Sequence, residues 1–200
     1  MRKKITYVLV PVILVLVWLG FTGEGDEAYL KQVQETIDDR VKYLRTSESS
    51  PFRQYNEPFK EPSYFPIDAS YRVNATVERL QNRNIVTLPN SNSGVETYEE
   101  FAWLNFTLNG ERQRLLVLRP AGFGALKVLF LAFTDETSAD QTYGGGRYLD
   151  IEIGKSDKVV LDFNLAYNPY CAYTDQYSCA LPPRENQLSV AVNAGEKNFH

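Results

Sequence analysis

Two carboxylates and one arginine stand where strand-like runs give way to loops in the second half of this chain. Asp135 ends the run "LFLAFTD", Asp162 lies in "VVLDFN", and Arg147 follows the triple glycine Gly144-Gly145-Gly146. If the two runs are neighbours in a sheet, Asp135, Asp162 and Asn164 approach one another. Asp162 and Asn164, two apart, then share a face. Opposed carboxylates with an arginine suit acid–base catalysis, an oxygen-rich cation site or a structural ion pair. In the ion-pair reading Arg147 bonds Asp162 and loop carbonyls, and no ligand is needed. In the catalytic reading Asp135, Glu136, Asp162 and Arg147 serve a hydrolase acting on an envelope polymer.

The glycines do not form a phosphate loop. That would need a Gly-Lys-Ser/Thr ending and a following helix, and Arg147 is followed by a strand pattern instead. Two readings remain: bare backbone that lets a ligand or another segment approach closely, or a bend entering a strand. Thr137, Thr142, Tyr143, Tyr167, Asn168 and Tyr173 complete a polar set around them. Tyr143, Tyr148, Tyr167, Tyr170, Tyr173 and Tyr177 crowd the same region. Rings beside Asn and Asp are what a glycan, peptide or small-molecule groove uses, and equally what a cross-strand aromatic ladder uses. His200 is the only histidine, which leaves serine or cysteine nucleophilic catalysis without an evident base. No cofactor motif is present. Cys171 and Cys179 are the only cysteines. In an oxidising compartment such a pair is expected to form a disulfide.

Positioning these residues falls to a mostly β body. From Tyr71 the apolar residues alternate, as in a half-buried strand, and Asn84–Pro89 reads as a second strand. "FAWLNFTLNGERQRLLVLRP" places Asn109-Gly110 between two strand-like runs, the signature of a tight hairpin. "KVLFLAFTD", a hairpin over "RYLDIEIGKSDKVVLDFN" and a last strand "QLSVAVNAG" bring the expected total to about eight strands. Short connections make neighbours antiparallel, so the fold class is mainly β: an antiparallel sandwich or small barrel over 50–200. Before it, Leu30, Val33, Ile37, Val41 and Leu44 recur at helical steps, giving an amphipathic helix over 24–49. The proline-rich stretch 51–66 reads as an extended lead-in.

The first 23 residues read as a transmembrane or signal segment: Arg2, Lys3 and Lys4 precede an uncharged apolar run from Ile5 to Phe21. The basic end stays in the cytoplasm, so the body is expected outside it, anchored to the membrane or secreted after cleavage. Without those three residues the chain holds 18 basic against 25 acidic residues. So acidic a body argues against a nucleic-acid partner.

The segments "YFPID", "YRVNATVE", "LFLAFTDETSADQTYGGGRYLDIE" and "LDFNLAYNPYCAYTDQYSCALPPRENQLSVAVNAGEK" resemble the domain of unknown function 1684 family, across nearly the whole chain after Glu24. The resemblance implies no activity, because that family has none to carry over. Where its pattern has glycine after Thr137-Ser138, this chain has Ala139. Taken together, the sequence describes a β-domain that binds a ligand through its glycine and tyrosine loops or serves a structural role in the envelope.

Overall fold

The computed structural model describes residues 6–122 and 129–200, with side chains from residue 25 onward. Helix α1 spans Thr6–Thr46 and runs unbroken through the boundary expected at residue 23. The side chains of the apolar run expected to meet a membrane lie outside the described residues. Among the described residues no helix is long and apolar enough to cross a membrane. On the amphipathic part, Val33, Ile37 and Leu44 are buried against the body while Leu30 is exposed. The lead-in is not wholly extended: α2, Pro51–Gln54, forms one helical turn. Pro51 takes the first helical position, where its missing N–H costs nothing, and Ser50 caps it by accepting from the Arg53 N–H.

The body is built on one five-stranded antiparallel sheet. Strands β1 (Arg72–Arg79), β2 (Ile85–Pro89), β3 (Val95–Leu108), β4 (Glu111–Pro120) and β7 (Lys158–Asp162) compose it. The long β3 is its spine. Its first half pairs with β2 and its second half with β1, while β4 runs along its other edge. The β3–β4 hairpin turns at Asn109-Gly110, with φ of 52° and 82°, as its Asn-Gly pair requires.

A bulge between Glu100 and Ala102 shifts the register of β3 against β4. It reverses which face each side chain serves. Before it, Tyr98 packs with Leu88, Leu116, Leu118 and Ala180. After it, Ala102, Leu104, Phe106 and Leu108 join the main core with Leu115 and Val117. The apolar run Leu115–Leu118 is therefore buried on both faces, which explains why it does not alternate.

The expected sandwich or barrel is not what forms. Among the described residues there is no closed barrel, and the second sheet is only the two-stranded pair β5 (Ala132–Phe133) and β6 (Arg147–Tyr148). The run "KVLFLAFTD" contributes just β5, and its Lys127 and Val128 lie outside the described residues. The expected hairpin at Gly154 does not exist either, because β6 pairs with β5 and β7 with β1. Nor does the last strand form. Residues 187–195 are irregular apart from a single bridge at Gln187, although Leu188, Val190, Val192 and Ala194 all point into the core. Backbone bonds from the Leu188 N–H to the Thr134 carbonyl and from the Glu136 N–H to the Val190 carbonyl are kept, and side chains supply the rest. Buried Asn186 accepts from the Leu116 N–H at 2.6 Å and donates to the carbonyls of Leu116 at 2.9 Å and Ala132 at 2.8 Å. One amide thus satisfies backbone groups that a neighbouring strand would otherwise bond.

Candidate functional site

Arg147 opens β6 and is 1% exposed. Its partner is Asp135, not Asp162: Nη2 donates to Asp135 Oδ2 at 2.8 Å and to the Val192 carbonyl at 3.0 Å. Nη1 donates to the carbonyls of Ala194 and Glu196. Asp135 Oδ1 accepts from the Thr137 N–H at 2.9 Å, the Thr137 hydroxyl at 2.7 Å and the Val192 N–H at 3.1 Å. Thr137 Oγ1 lies 2.9 Å from the buried Thr142 Oγ1. Burial pulls the Arg147 pKa down, with the Asp135 charge opposing it. Both Arg147 Nη groups and both Asp135 oxygens are occupied by other parts of the chain, while Arg147 Nε is buried without a partner among the described residues. The knot sews the 134–147 loop to the C-terminal segment, and a ligand has no access to it.

The triple glycine belongs to this knot. Gly146 has φ of 86°, and an added Cβ would stand 2.5 Å from Pro182 Cγ and 2.7 Å from the Phe133 carbonyl oxygen. Gly145 lies under the Tyr143 ring, and Gly144 lies against Ala139. Of the two readings, bend and close approach by another segment, the structure has both, and the approaching segment is the chain itself. Ala139 adopts φ of 66°, a left-handed conformation costly for a side-chain-bearing residue. That accounts for the glycine in the family pattern at this place.

Asp162 and Asn164 serve a different junction. Asp162 Oδ2 accepts from the Tyr29 hydroxyl of α1 at 2.9 Å, and Asn164 Nδ2 donates to that hydroxyl at 3.0 Å and to the Asp68 carbonyl at 2.8 Å. Glu136 is exposed. Asp135 and Arg147, Glu136, and Asp162 thus sit in three settings, and the four do not converge on a reaction centre. Among the described residues no cluster of three or more His, Cys, Asp or Glu could hold a metal ion.

A second knot was not legible in the sequence. Glu196 is fully buried. Its Oε1 accepts from the Tyr173 hydroxyl at 2.6 Å and Asn168 Nδ2 at 2.9 Å, and its Oε2 from the Asn168 N–H at 3.0 Å. Burial raises its pKa above the ordinary carboxylate value, against those bonds and the nearby Arg40 charge. Arg40 of α1 approaches with Nε 4.0 Å from Glu196 Oε2. Its guanidinium lies 3.8 Å above the Tyr167 ring, and Nη2 donates to the Asn168 carbonyl at 3.2 Å. One signal existed: Arg40 falls three residues after Ile37 and four before Leu44, on the buried stripe. Asn168 and Tyr173, expected to face a ligand, instead hold this carboxylate. The Asn168–Pro169 bond is trans.

Beside this knot opens a cleft of about 390 Å³, lined by Arg40, Tyr148, Tyr167, Tyr170, Tyr177 and Cys179 among others. The tyrosine hydroxyls are tied back. Tyr148 donates to the Ala180 carbonyl at 2.7 Å, Tyr167 to Asp150 at 2.7 Å, Tyr170 to the Tyr43 hydroxyl at 3.0 Å and Tyr177 to Gln54 at 2.5 Å. The rings buttress one another edge to face, Tyr170 against Tyr177 at 5.0 Å and Phe130 against Tyr148 at 5.0 Å. With the hydroxyls pinned, apolar ring surface is what the tyrosines offer the cleft. Of the six tyrosines read as a possible groove, Tyr148, Tyr167, Tyr170 and Tyr177 line it, with Cys179 from the expected disulfide; of the polar set around the glycines, only Tyr167 does.

That disulfide is not formed: Cys171 and Cys179 are both free thiols. They are nonetheless adjacent, the Cys171 N–H donating to Cys179 Sγ at 3.1 Å. The hydrogen bond exchanged with Cys179 pulls the Cys171 thiol down to about 7, helped by the Tyr143 hydroxyl and opposed by burial. The same bond, with burial, pushes Cys179 up. In the reduced chain, iodoacetamide alkylation of Cys171 is therefore expected to follow a midpoint at about pH 7, because the thiolate is the nucleophile. Cys179 should lag at every pH. Peptide mass mapping reads both rates, and equal rates would contradict this geometry.

The class these features define is an antiparallel-sheet domain with a packed N-terminal helix and an aromatic cleft. The chain belongs to the protein family of unknown function DUF1684, whose model matches residues 57–197. It is similar to an uncharacterised protein of Haloarcula marismortui solved in solution by NMR, with 38% identity and a TM-score of 0.66, covering 87% of this chain and 96% of that one. No curated protein matches.

Proposed function

We propose that this chain is a ligand-binding domain whose site is the tyrosine cleft, and that it takes a small ring-bearing molecule, a sugar or an aromatic. The observation that carries the reading is the set of tyrosine rings lining the cleft with their hydroxyls bonded elsewhere. Prearranged apolar faces cost no ordering on binding. The volume of about 390 Å³ falls in the range of small-molecule sites.

The reading is tested by ligand-observed NMR on the full chain, with a panel of monosaccharides and single-ring aromatics. Each ring contact is worth about 1 kcal/mol, so the double variant Tyr170→Ala/Tyr177→Ala is expected to weaken binding about thirtyfold. A panel without any binder, or a double variant that binds as well as the native chain, would end the proposal.

The body, in the same proposal, works outside the cytoplasm, joined to a membrane by its N-terminal segment or released from it. Support comes from the basic start and the uncharged run Ile5–Phe21. Oxidation there would close Cys171 and Cys179 into a disulfide. Alkylation before reduction then reports the compartment: blocked thiols in freshly isolated chain mark export, and free ones contradict it.

A further inference from the structure

We infer that the cleft selects an acid: a ring-bearing molecule whose carboxylate docks on Arg40 while its ring lies among the tyrosines. This rests on the cleft being a ligand site and adds the charge of what enters it.

The first ground is the lining. Arg40 is its one cation among the described residues, and Glu96, the one carboxylate, already accepts from the Tyr98 hydroxyl at 2.8 Å. The second ground is the state of Arg40 itself. A guanidinium carries five N–H donors, yet among the described residues Arg40 makes a single hydrogen bond, from Nη2 to the Asn168 carbonyl. Its Nε is buried without a partner. The nearest carboxylate, Glu196, is 4.0 Å away and takes three hydrogen bonds from Asn168 and Tyr173 instead. The Arg40 side chain keeps 23% of its surface exposed.

The unpartnered Nε is shared with Arg147, and the difference lies in the Nη groups, which in Arg147 are spent on Asp135 and three carbonyls. One arginine has its charge consumed by the fold. The other lies over the Tyr167 ring at 3.8 Å, with Nη donors left over at the wall of an aromatic cleft. The forked donor set of an arginine matches a carboxylate. Stacking on the ring preorganises it, so little ordering is needed on docking.

The experiment compares phenylacetate with phenylacetamide, a pair alike in ring and shape and different in charge, by NMR titration of the full chain. Phenylacetate is expected to bind about tenfold more tightly, the worth of one charge-assisted hydrogen bond set against a neutral one. In Arg40→Gln the two should bind equally, at the native affinity of the amide. Arg40→Lys, which keeps the charge, should restore part of the preference. Equal affinities in the native chain would overturn the inference and leave the ring-binding reading standing. A loss of both ligands in Arg40→Gln would also overturn it, because Arg40 would then only be holding the cleft in shape. Failure of both ligands on the native chain would overturn the inference, while the ring-binding reading falls only if the monosaccharides and the other aromatics of the panel fail as well.

Discussion

Replacing Arg147 with methionine lowers the unfolding free energy of this chain by about 3–5 kcal/mol, the usual consequence of removing one partner of a buried ion pair. Methionine fills much the same volume, so little of the loss comes from a cavity. The charge left behind accounts for it. Asp135 Oδ2 loses its 2.8 Å partner, and the carbonyls of Val192, Ala194 and Glu196 lose their shared donor. All of these lie away from water, where an unmet polar group is costly. Urea unfolding monitored by fluorescence measures the change. The companion variant Asp135→Asn/Arg147→Met should lose less than the sum of its single variants, because the residual charge is gone. A loss below about 1 kcal/mol in Arg147→Met would mean that the site reaches water and that the enclosed ion pair is misread.

Gly146→Ala is expected to be nearly as damaging, at about 2–5 kcal/mol. Two costs combine. The backbone at φ 86° is strained for any residue with a Cβ, at about 1–2 kcal/mol. The new methyl would also stand 2.5 Å from Pro182 Cγ and 2.7 Å from the Phe133 carbonyl oxygen. Pro182 is rigid and the carbonyl belongs to β5, so neither can swing aside as a flexible side chain would, and overpacking adds about 1–3 kcal/mol. Gly154→Ala is the control: nothing lies within 4 Å of its added Cβ, and the variant should be neutral or slightly more stable. If Gly146→Ala melts with the native chain, the loop tolerates repacking and the close approach of Pro182 is dispensable.

Together the two variants bear on what the glycine loop is for. Both losses would be of stability, with the cleft on the other side of Tyr148 keeping its rings. A chain carrying Gly146→Ala that still folds at low temperature should bind ring-bearing ligands as the native chain does.

What the linear order of residues determined by itself was local. Alternation located β1, Asn109-Gly110 made the β3–β4 hairpin, and the spacing of Val33, Ile37 and Leu44 marked the buried face of α1. These signals suffice because period and turn chemistry act within a few residues. The family, too, was legible, from long segments around the glycines and tyrosines. Partner choice was not. Residues 187–195 alternate as a strand does and do bury Leu188, Val190, Val192 and Ala194. Their backbone groups nevertheless bond to Asp135 and Arg147 side chains, and no periodicity shows that a side chain will take the place of a strand. Arg147 and Asp162 looked like natural partners because both flank strands. Tertiary packing instead gave Asp162 to Tyr29 of α1 and Arg147 to Asp135. The cleft was decided at the same level. Arg40 comes from the first fifth of the chain and Glu196 from its end, and only folding brings them within 4.0 Å of each other beside Tyr167. An ion pair or a pocket is a property of distances in space, and sequence separation carries almost no information about distances once the chain has closed on itself.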